Sequence, residues 1–549
     1  MTTADPAATQ AAPAAPPTTP PAAAPPARPA PRTLTIGGTA YPLFLPSIRD
    51  PRLHVAAVII TVHVLGQVGL GFWVSVPQIL AAILTCAVLE IAITFQQSRA
   101  LVWPASAMLT GSGVALILRV VGTPPGQPWS TNAWEVFAVV GGLSLLSKYV
   151  IKYRGTHVSN PSNVGLVVAF LVLGSSRAEP LDFWWAPLNV WMLAAYAVIA
   201  IGGLLITRRL RLLGLAASFW LTFALALGVL AASGHSMVAR WSFAPVTGFD
   251  FWRVIVTSPE VLIFLFFMIT DPKTVPTGQV GRVVFGVLVA IVSTLLMAPQ
   301  TDEFGTKVAL LSGLVVMCAA RPLLDRLIPE PRSAADDLRL YVSRLGLRAP
   351  VRAGVAAVVV LVLGAGIVLA GTPARGQVFA SSAEILGRLP AQVDPGTLPA
   401  VTVDDDVIDY LPSPGTTGIA DVVVTLAQNL EFENQALLRR DGSILTAVDH
   451  GDRLLEMQQQ LQALAAGGPT TVVHYRFETM HATLLIPFGR QDGFSIGLRA
   501  TGSKIEQTVD ATGAAVGDAT VTPFQQTFAV RRATGDRWLT VAVLPAPPG

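Results

Sequence analysis

A chain of 549 residues that is 52% hydrophobic and 13% charged, with a mean hydropathy of +0.57, is too apolar for a soluble globular protein and reads as an integral membrane protein. Its net charge of +3 conceals a division, because residues 372–549 hold 12 basic and 19 acidic side chains and the part before them is strongly basic. Cys86 and Cys318 both fall in apolar runs, so neither a disulfide framework nor a thiolate metal site is indicated, and no basic tract interleaved with aromatics points to nucleic acid.

Residues 1–33 contain ten prolines among alanines and threonines, with no basic cluster leading into an apolar core, so they predict a disordered tail and not a signal peptide. With the short polar entry behind it, the expected cytoplasmic tail is 1–50. Apolar runs of spanning length recur at 53–73, 76–95, 101–121, 133–151, 160–175, 187–206, 212–232, 252–270, 282–298, 304–323 and 351–371, of which 160–175 is short. With the N-terminus inside, Arg99, the Lys148–Arg154 cluster, Arg208–Arg211, Lys273, Arg282 and the seven arginines from Arg321 to Arg352 all fall on the cytoplasmic side. Loops on the other side, such as 122–132, carry almost none. The expected organisation is a polytopic α-helical core at 51–325 in cell-membrane lipid, a charged cytoplasmic linker at 326–350, a plain final span at 351–371 and an extracytoplasmic domain at 372–549.

In that last domain, 417–437 and 443–465 have helical periodicity. Thr471–Pro487, Phe494–Ala500, Val521–Val530 and Trp538–Leu544 alternate as strands between turns. Helices followed by an antiparallel sheet predict an α+β domain that resembles the cone-shaped nuclear-transport-factor-like fold.

Polar residues in apolar surroundings are the candidates for chemistry. His63 lies in the first run, and a neutral imidazole bonded to a neighbouring helix is the simplest account of it. Glu90 and Glu260 are candidates for an ion path or for positions near the headgroups, with Lys148 a partner for either. The stretch Lys148–Leu173 carries Lys148, Lys152, Arg154 and His157 into Asn160-Pro161-Ser162-Asn163. Two readings are open: a helix broken at membrane depth, whose free N–H groups face a ligand, or a cytoplasmic loop whose Asn caps the next helix. A second interruption, Thr270-Asp271-Pro272-Lys273-Thr274, follows the apolar run in the other half of the core, and paired interruptions of this kind point to a midplane site between structural repeats.

Three motifs then occur in order. Ser106-Ala107-Met108-Leu109-Thr110-Gly111 is similar to the S-A-L-L-T-G segment of the D subunit of the Rnf electron-transport complex and of its relative, the B subunit of the sodium-pumping NADH:quinone reductase. Ser147-Lys148-Tyr149 with Asn160-Pro161-Ser162-Asn163-Val164-Gly165 resembles that family's G-K-H followed by N-P-x-N-x-G. Phe266-Phe267-Met268-Ile269-Thr270-Asp271-Pro272-Lys273-Thr274-Val275-Pro276 resembles F-F-M-A-T-D-P-V-T-A-P, with Gly281-Arg282 and Gly286 behind it. The resemblance covers about residues 50–325, and divergent members of the family are associated with enediyne-antibiotic gene clusters of actinobacteria. It implies a ten-helix inverted-repeat core that holds flavin and moves electrons among the subunits of a larger redox complex. Ser106, Thr110, Lys148, Asn160, Pro161, Asn163, Thr270, Asp271 and Thr274 would shape the flavin environment and the repeat interface.

One departure is specific. The family's covalent flavin anchor, the Thr of S-G-A-T, has no counterpart in the 174–185 loop, and Ser233-Gly234-His235-Ser236 echoes it only loosely and one helix pair too late. Any flavin, FMN or riboflavin, is expected to be non-covalent. The competing expectations are an inverted-repeat transporter without a cofactor and a membrane scaffold whose outer domain captures a small molecule or a protein.

Overall fold

The computed structural model describes residues 32–545 except 71, 122, 124–127, 176, 182–189, 240–241, 329–348, 376–384, 388, 390–392, 406, 408–415, 465–467, 486–494, 511–512 and 533–536. Most of the proline-rich tail and most of the 326–350 linker lie outside these residues. The end of the expected tail does not: Arg32–Ile36 (β1) and Thr39–Phe44 (β2) form an antiparallel hairpin. Gly37 and Gly38 both adopt positive φ, 57° and 82°, which suits the two-residue turn that right-twisted strands need.

Helix α1 (Pro51–Val68) follows, with the Asp50 side chain accepting from the Arg52 amide. Helix α2 (Val76–Ser98) begins on a reciprocal cap between Ser75 and Gln78. Strand β3 (Leu101–Val102) pairs in parallel with β2, tying the entry hairpin to the α2–α3 connection. Then come α3 (Ala105–Ile117), β4 (Leu118–Val120), α4 (Trp134–Val150), the small hairpin β5 (Lys152–Tyr153) and β6 (Thr156–His157), α5 (Pro161–Leu173) and β7 (Ala178–Pro180), which pairs with β4. The second half of the core runs α6 (Val190–Arg209), α7 (Leu213–Ala232), β8 (Ser236–Ala239), β9 (Ser242–Thr247), α8 (Gly248–Val256), α9 (Pro259–Ile263) with a π turn at Phe264–Met268, α10 (Gln279–Met297) and α11 (Glu303–Leu327). Helix α12 (Ala349–Ala370) leads out of the core.

Among the described residues, seven helical segments are long and apolar enough to cross a membrane, and α3, α5 and part of α12 are shorter apolar helices. The packing of the two halves corresponds. In the first, α2 packs on α3 and α4, and α4 on α5; in the second, α7 packs on α8 and α10, and α10 on α11. Contacts of α1 with α6 and of α5 with α11 join them. The closest approaches also correspond. A Cβ added at Gly165 of α5 would sit 1.7 Å from Ser144 Oγ of α4, and one at Gly313 of α11 would sit 2.0 Å from Ser293 Oγ of α10. Small residues are what let apolar helices approach this closely.

The C-terminal domain has its own core. One five-stranded sheet runs in the order β10 (Val401–Val403), β11 (Thr470–Leu485), β12 (Ser495–Val509), β13 (Thr520–Arg532), β14 (Trp538–Pro545), antiparallel except for β10 beside β11. Helix α13 (Thr416–Arg439) packs on β11 and β14, and Tyr475, Phe477, Phe524 and Phe528 stack and tilt against one another with centroids 5.2–6.2 Å apart. The single helix expected at 443–465 is instead two, α14 (Gly442–Val448) and α15 (Gly451–Ala463). Asp449 is extended and bridges Thr540, and Gly451 turns at φ 61°. Strand β12 is longer than expected because its polar half, from Thr501 onward, remains paired with β11.

Replacing Gly165 or Gly313 with Val should force α4 from α5 or α10 from α11 at a cost of about 1–3 kcal/mol. Each variant should melt at a lower temperature in detergent, whereas Gly364→Ala, at a position in α12 with open space around it, should not.

Candidate functional site

The two interrupted segments meet. His157 at the end of β6 places Nε2 3.1 Å from Asp271 Oδ2, and Arg321 of α11 donates to the Lys273 carbonyl at 2.7 Å. Asn160 caps α5 by accepting from the Asn163 amide and the Ser162 hydroxyl. Asn163 is fully buried, and its Nδ2 donates 3.0 Å to the Leu311 carbonyl of α11. The chain therefore brings His157, three residues before Asn160, to Asp271, and sets Asn163 against α11, across the contact between the two halves.

Lys148–Leu173 is not one broken helix: α4 ends at Val150, the β5–β6 hairpin intervenes, and Asn160 caps a new helix. The junction stands at the end of the bundle that also gathers the arginines. There Arg209 donates to the Arg49 carbonyl, Arg282 to the Arg211 carbonyl, and Arg154 lies 4.0 Å from Asp325. A true interruption lies elsewhere, at Thr257-Ser258-Pro259, where Ser258 caps α9. The π turn after it puts the Ile269 amide on the Phe264 carbonyl and rotates the chain just before Thr270-Asp271.

The hydroxyls at the junction are used locally. Thr270 donates to the Phe266 carbonyl and Thr274 to the Asp271 carbonyl, while the Asp271 side chain caps the Lys273 amide. Thr110 donates to the Ser106 carbonyl inside α3, and one turn on a Cβ added at Gly113 would sit 3.1 Å from Ser162 Oγ at the start of α5. Asn163 Oδ1 stands apart: it is buried and no described group donates to it. A dry acceptor without a donor is costly unless something supplies one.

Lys148 resolves to one partner. Its ammonium lies 2.8 Å from Glu90 Oε1, and the Tyr149 hydroxyl donates 2.5 Å to Glu90 Oε2, tying α4 to α2. Glu260 is paired elsewhere, which corrects the alternative that Lys148 serves it: Lys307 of α11 lies 3.3 Å from Glu260 and 2.6 Å from Glu303. Glu303 and Lys307 were not singled out in the sequence, although an acid and a base four apart at a helix start are a readable signal. This cluster borders a small pocket walled by Leu116, Ile117, Leu181, Phe264 and Leu311, which are apolar side chains from both halves. His63 is buried, with Nε2 3.4 Å from Ser112 Oγ of α3, as a neutral imidazole bonded to a neighbouring helix would be.

A further buried cluster lies in the C-terminal domain. Arg453 makes a two-pronged contact with Glu433, at 2.9 and 2.5 Å, and Asp449 beside them is wholly buried. Burial, reinforced by the Glu433 charge, pushes the Asp449 carboxyl well above the usual carboxylate range. Among the described residues no group of three or more His, Cys, Asp or Glu is placed to hold a metal. No protein-family model matches the chain, and no curated protein matches it.

Lys307→Met should take the shared ammonium from Glu260 and Glu303 and cost about 3–5 kcal/mol in thermal unfolding, and adding Glu260→Gln and Glu303→Gln should recover most of it. Because the fold raises the Asp449 carboxyl above its unfolded value, its contribution is complete below the ordinary carboxylate range and is lost as pH rises through the raised native value. Melting of the purified chain, followed upward from about pH 4, should decline as pH rises. Asp449→Asn should flatten that decline.

Proposed function

We propose that this protein is a membrane electron-transport subunit similar to the D subunit of Rnf complexes, holding FMN or riboflavin without a covalent bond and working beside other redox subunits. The core is read as two five-span repeats of opposite orientation, followed by one further span. The basic end faces the cytoplasm, by the positive-inside rule, and the sheet domain faces outward with a nuclear-transport-factor-like cone shape. An odd number of crossings per repeat turns the second repeat over, and the corresponding packing of α2–α5 and α7–α11 supports this reading.

The observation that carries the proposal is the meeting of the two family-like motifs, Asn160–Asn163 and Thr270–Thr274, through His157 and Asp271. Asn163 Oδ1 fits an isoalloxazine, whose ring N–H is a donor suited to an acceptor that lacks one. Asn163 would orient the ring, and the ammonium and guanidinium groups of Lys152, Arg154 and Lys273 nearby would attract an FMN phosphate. The flavin, when bound, supplies the electron-carrying chemistry. The chain's own groups bind it, exclude water, and hold a proton at the His157–Asp271 contact.

A second reading has one observation in its favour. The Glu260–Lys307–Glu303 cluster beside a pocket is a feature that an ion-coupled transporter would use.

The full chain, purified in mild detergent, should show the visible absorption bands of oxidised flavin. Acid precipitation should release the colour, and Asn163→Leu should lower flavin per polypeptide severalfold. A colourless protein would sink the redox proposal, and ion flux through it in liposomes would establish the second reading.

A further inference from the structure

Six arginines from three parts of the chain gather where α1, α7 and α10 begin and α6 ends. Arg49 and Arg52 lie at the entry to α1, Arg208, Arg209 and Arg211 at the turn from α6 to α7, and Arg282 in the first turn of α10. They are folded against one another through main-chain oxygens. Arg209 Nη2 donates 2.6 Å to the Arg49 carbonyl, and its Nη1 lies 3.4 Å from His54 Nδ1. Arg282 Nη1 donates 3.1 Å to the Arg211 carbonyl, and its Nε donates 3.0 Å to the Pro276 carbonyl. A carbonyl satisfies a donor and leaves the positive charge standing. Among the described residues, the one carboxylate paired with this group is Asp50, which Arg52 already holds by two prongs at 2.6 and 3.0 Å. Six guanidinium groups against one carboxylate leave a local excess of five charges, which the negative end of the α6 dipole offsets only in part.

The positive-inside rule accounts for arginines at this end of the bundle. It does not account for their being drawn onto one another's backbones, an arrangement of like charges that an anion would offset. The surface beside them says which kind of anion. Ile48, next to Arg49, is 86% exposed, more than any other large apolar side chain among the described residues, and Phe44 and Leu45 before it are exposed as well. Just inside the charged turn, Leu205 of α6, Leu213 of α7 and Val283 of α10 are also exposed. A soluble anion would meet the charges and leave this apolar surface bare. A phospholipid meets both, because its phosphate oxygens accept from guanidinium groups and its acyl chains cover the leucines.

We propose that this arginine group binds the headgroup of an anionic glycerophospholipid, with the phosphate between the α6–α7 turn and the entry to α1 and the acyl chains against Leu205 and Leu213. Arg208 and Arg211, both exposed and without a carboxylate partner among the described residues, supply the donors. Arg209 and Arg282 bind the turn to the entry of α1 and to α10, and so hold those donors in place. The site is separate from Lys152, Arg154 and Lys273, and it needs no flavin.

The test is lipid retention by the full chain. The protein in mild detergent is mixed with dioleoyl phosphatidylglycerol or dioleoyl phosphatidylcholine at equal mole fraction, and the lipid that stays bound is measured by native mass spectrometry. The anionic lipid should be retained over the zwitterionic one by about tenfold, the effect of one charge-assisted hydrogen bond. Arg211→Gln should lower that retention severalfold. Arg326→Gln, which removes the same charge from the last turn of α11 at the same end of the bundle, should not. Thermal melting shows whether each variant is folded, and Arg208→Gln takes the place of Arg211→Gln if the latter is not. Excess inorganic phosphate should leave the lipid bound. Equal retention of the two lipids, equal retention of phosphatidylglycerol by the parent and the folded variant, or its displacement by phosphate would overturn the lipid site.

Discussion

Charges taken below the surface of this helix bundle are matched on another element, and the matching fixes how the helices stand. A lone ammonium or carboxylate in a low-dielectric interior costs several kcal/mol, more than any one apolar contact returns. Glu90 therefore holds α2 to α4 through Lys148 and Tyr149, and Lys307 holds α11 to α9 through Glu260. His157 and Asp271 do the same for the two connections that meet at the arginine-rich end. The glycine approaches, Gly165 on Ser144 and Gly313 on Ser293, bring the backbones close enough for such pairs to form.

The two halves use this constraint differently. In the first, the charged pair joins neighbours within the half, α2 and α4, near the arginine-rich end. In the second, it joins the start of α9 to the start of α11 toward the other end and adds a second carboxylate, Glu303. The pocket beside that cluster takes its walls from both halves, whereas the Glu90 pair is closed by Tyr149. Two chemically distinct regions result: a junction of caps and hydroxyls at one end, and an apolar pocket bordered by Glu260 and Lys307 at the other.

Much of this was legible in the sequence. The apolar runs located the helices to within a few residues, because a span is long and its hydrophobicity is unmistakable. The strands from Thr471 onward were readable for a related reason, the alternation of one buried and one solvated face. The depth of the Asn160 segment was not, because a Pro-containing cap has the same composition in a loop as in a broken helix. Helix pairing was also invisible: Lys148 had two plausible carboxylates, and only the fold puts Glu90 beside it and Glu260 beside Lys307. The hairpin at 32–44 was concealed by the proline-rich tail before it, although Gly37-Gly38 between Ile36 and Thr39 was a turn signal.

The boundary between core and C-terminal domain joins two parts that each pair many of their own buried polar groups. Within the domain, Arg453 is satisfied by Glu433 and Glu456, and Asn429 is bonded to the Trp538 carbonyl and the Thr540 hydroxyl, so these groups are paired without the core. Within the core, Arg119 has Glu179 and Trp73. The contact of Arg119 with Asp452 adds to pairings that each side already makes for itself, so bringing the two parts together buries this guanidinium with carboxylates from both.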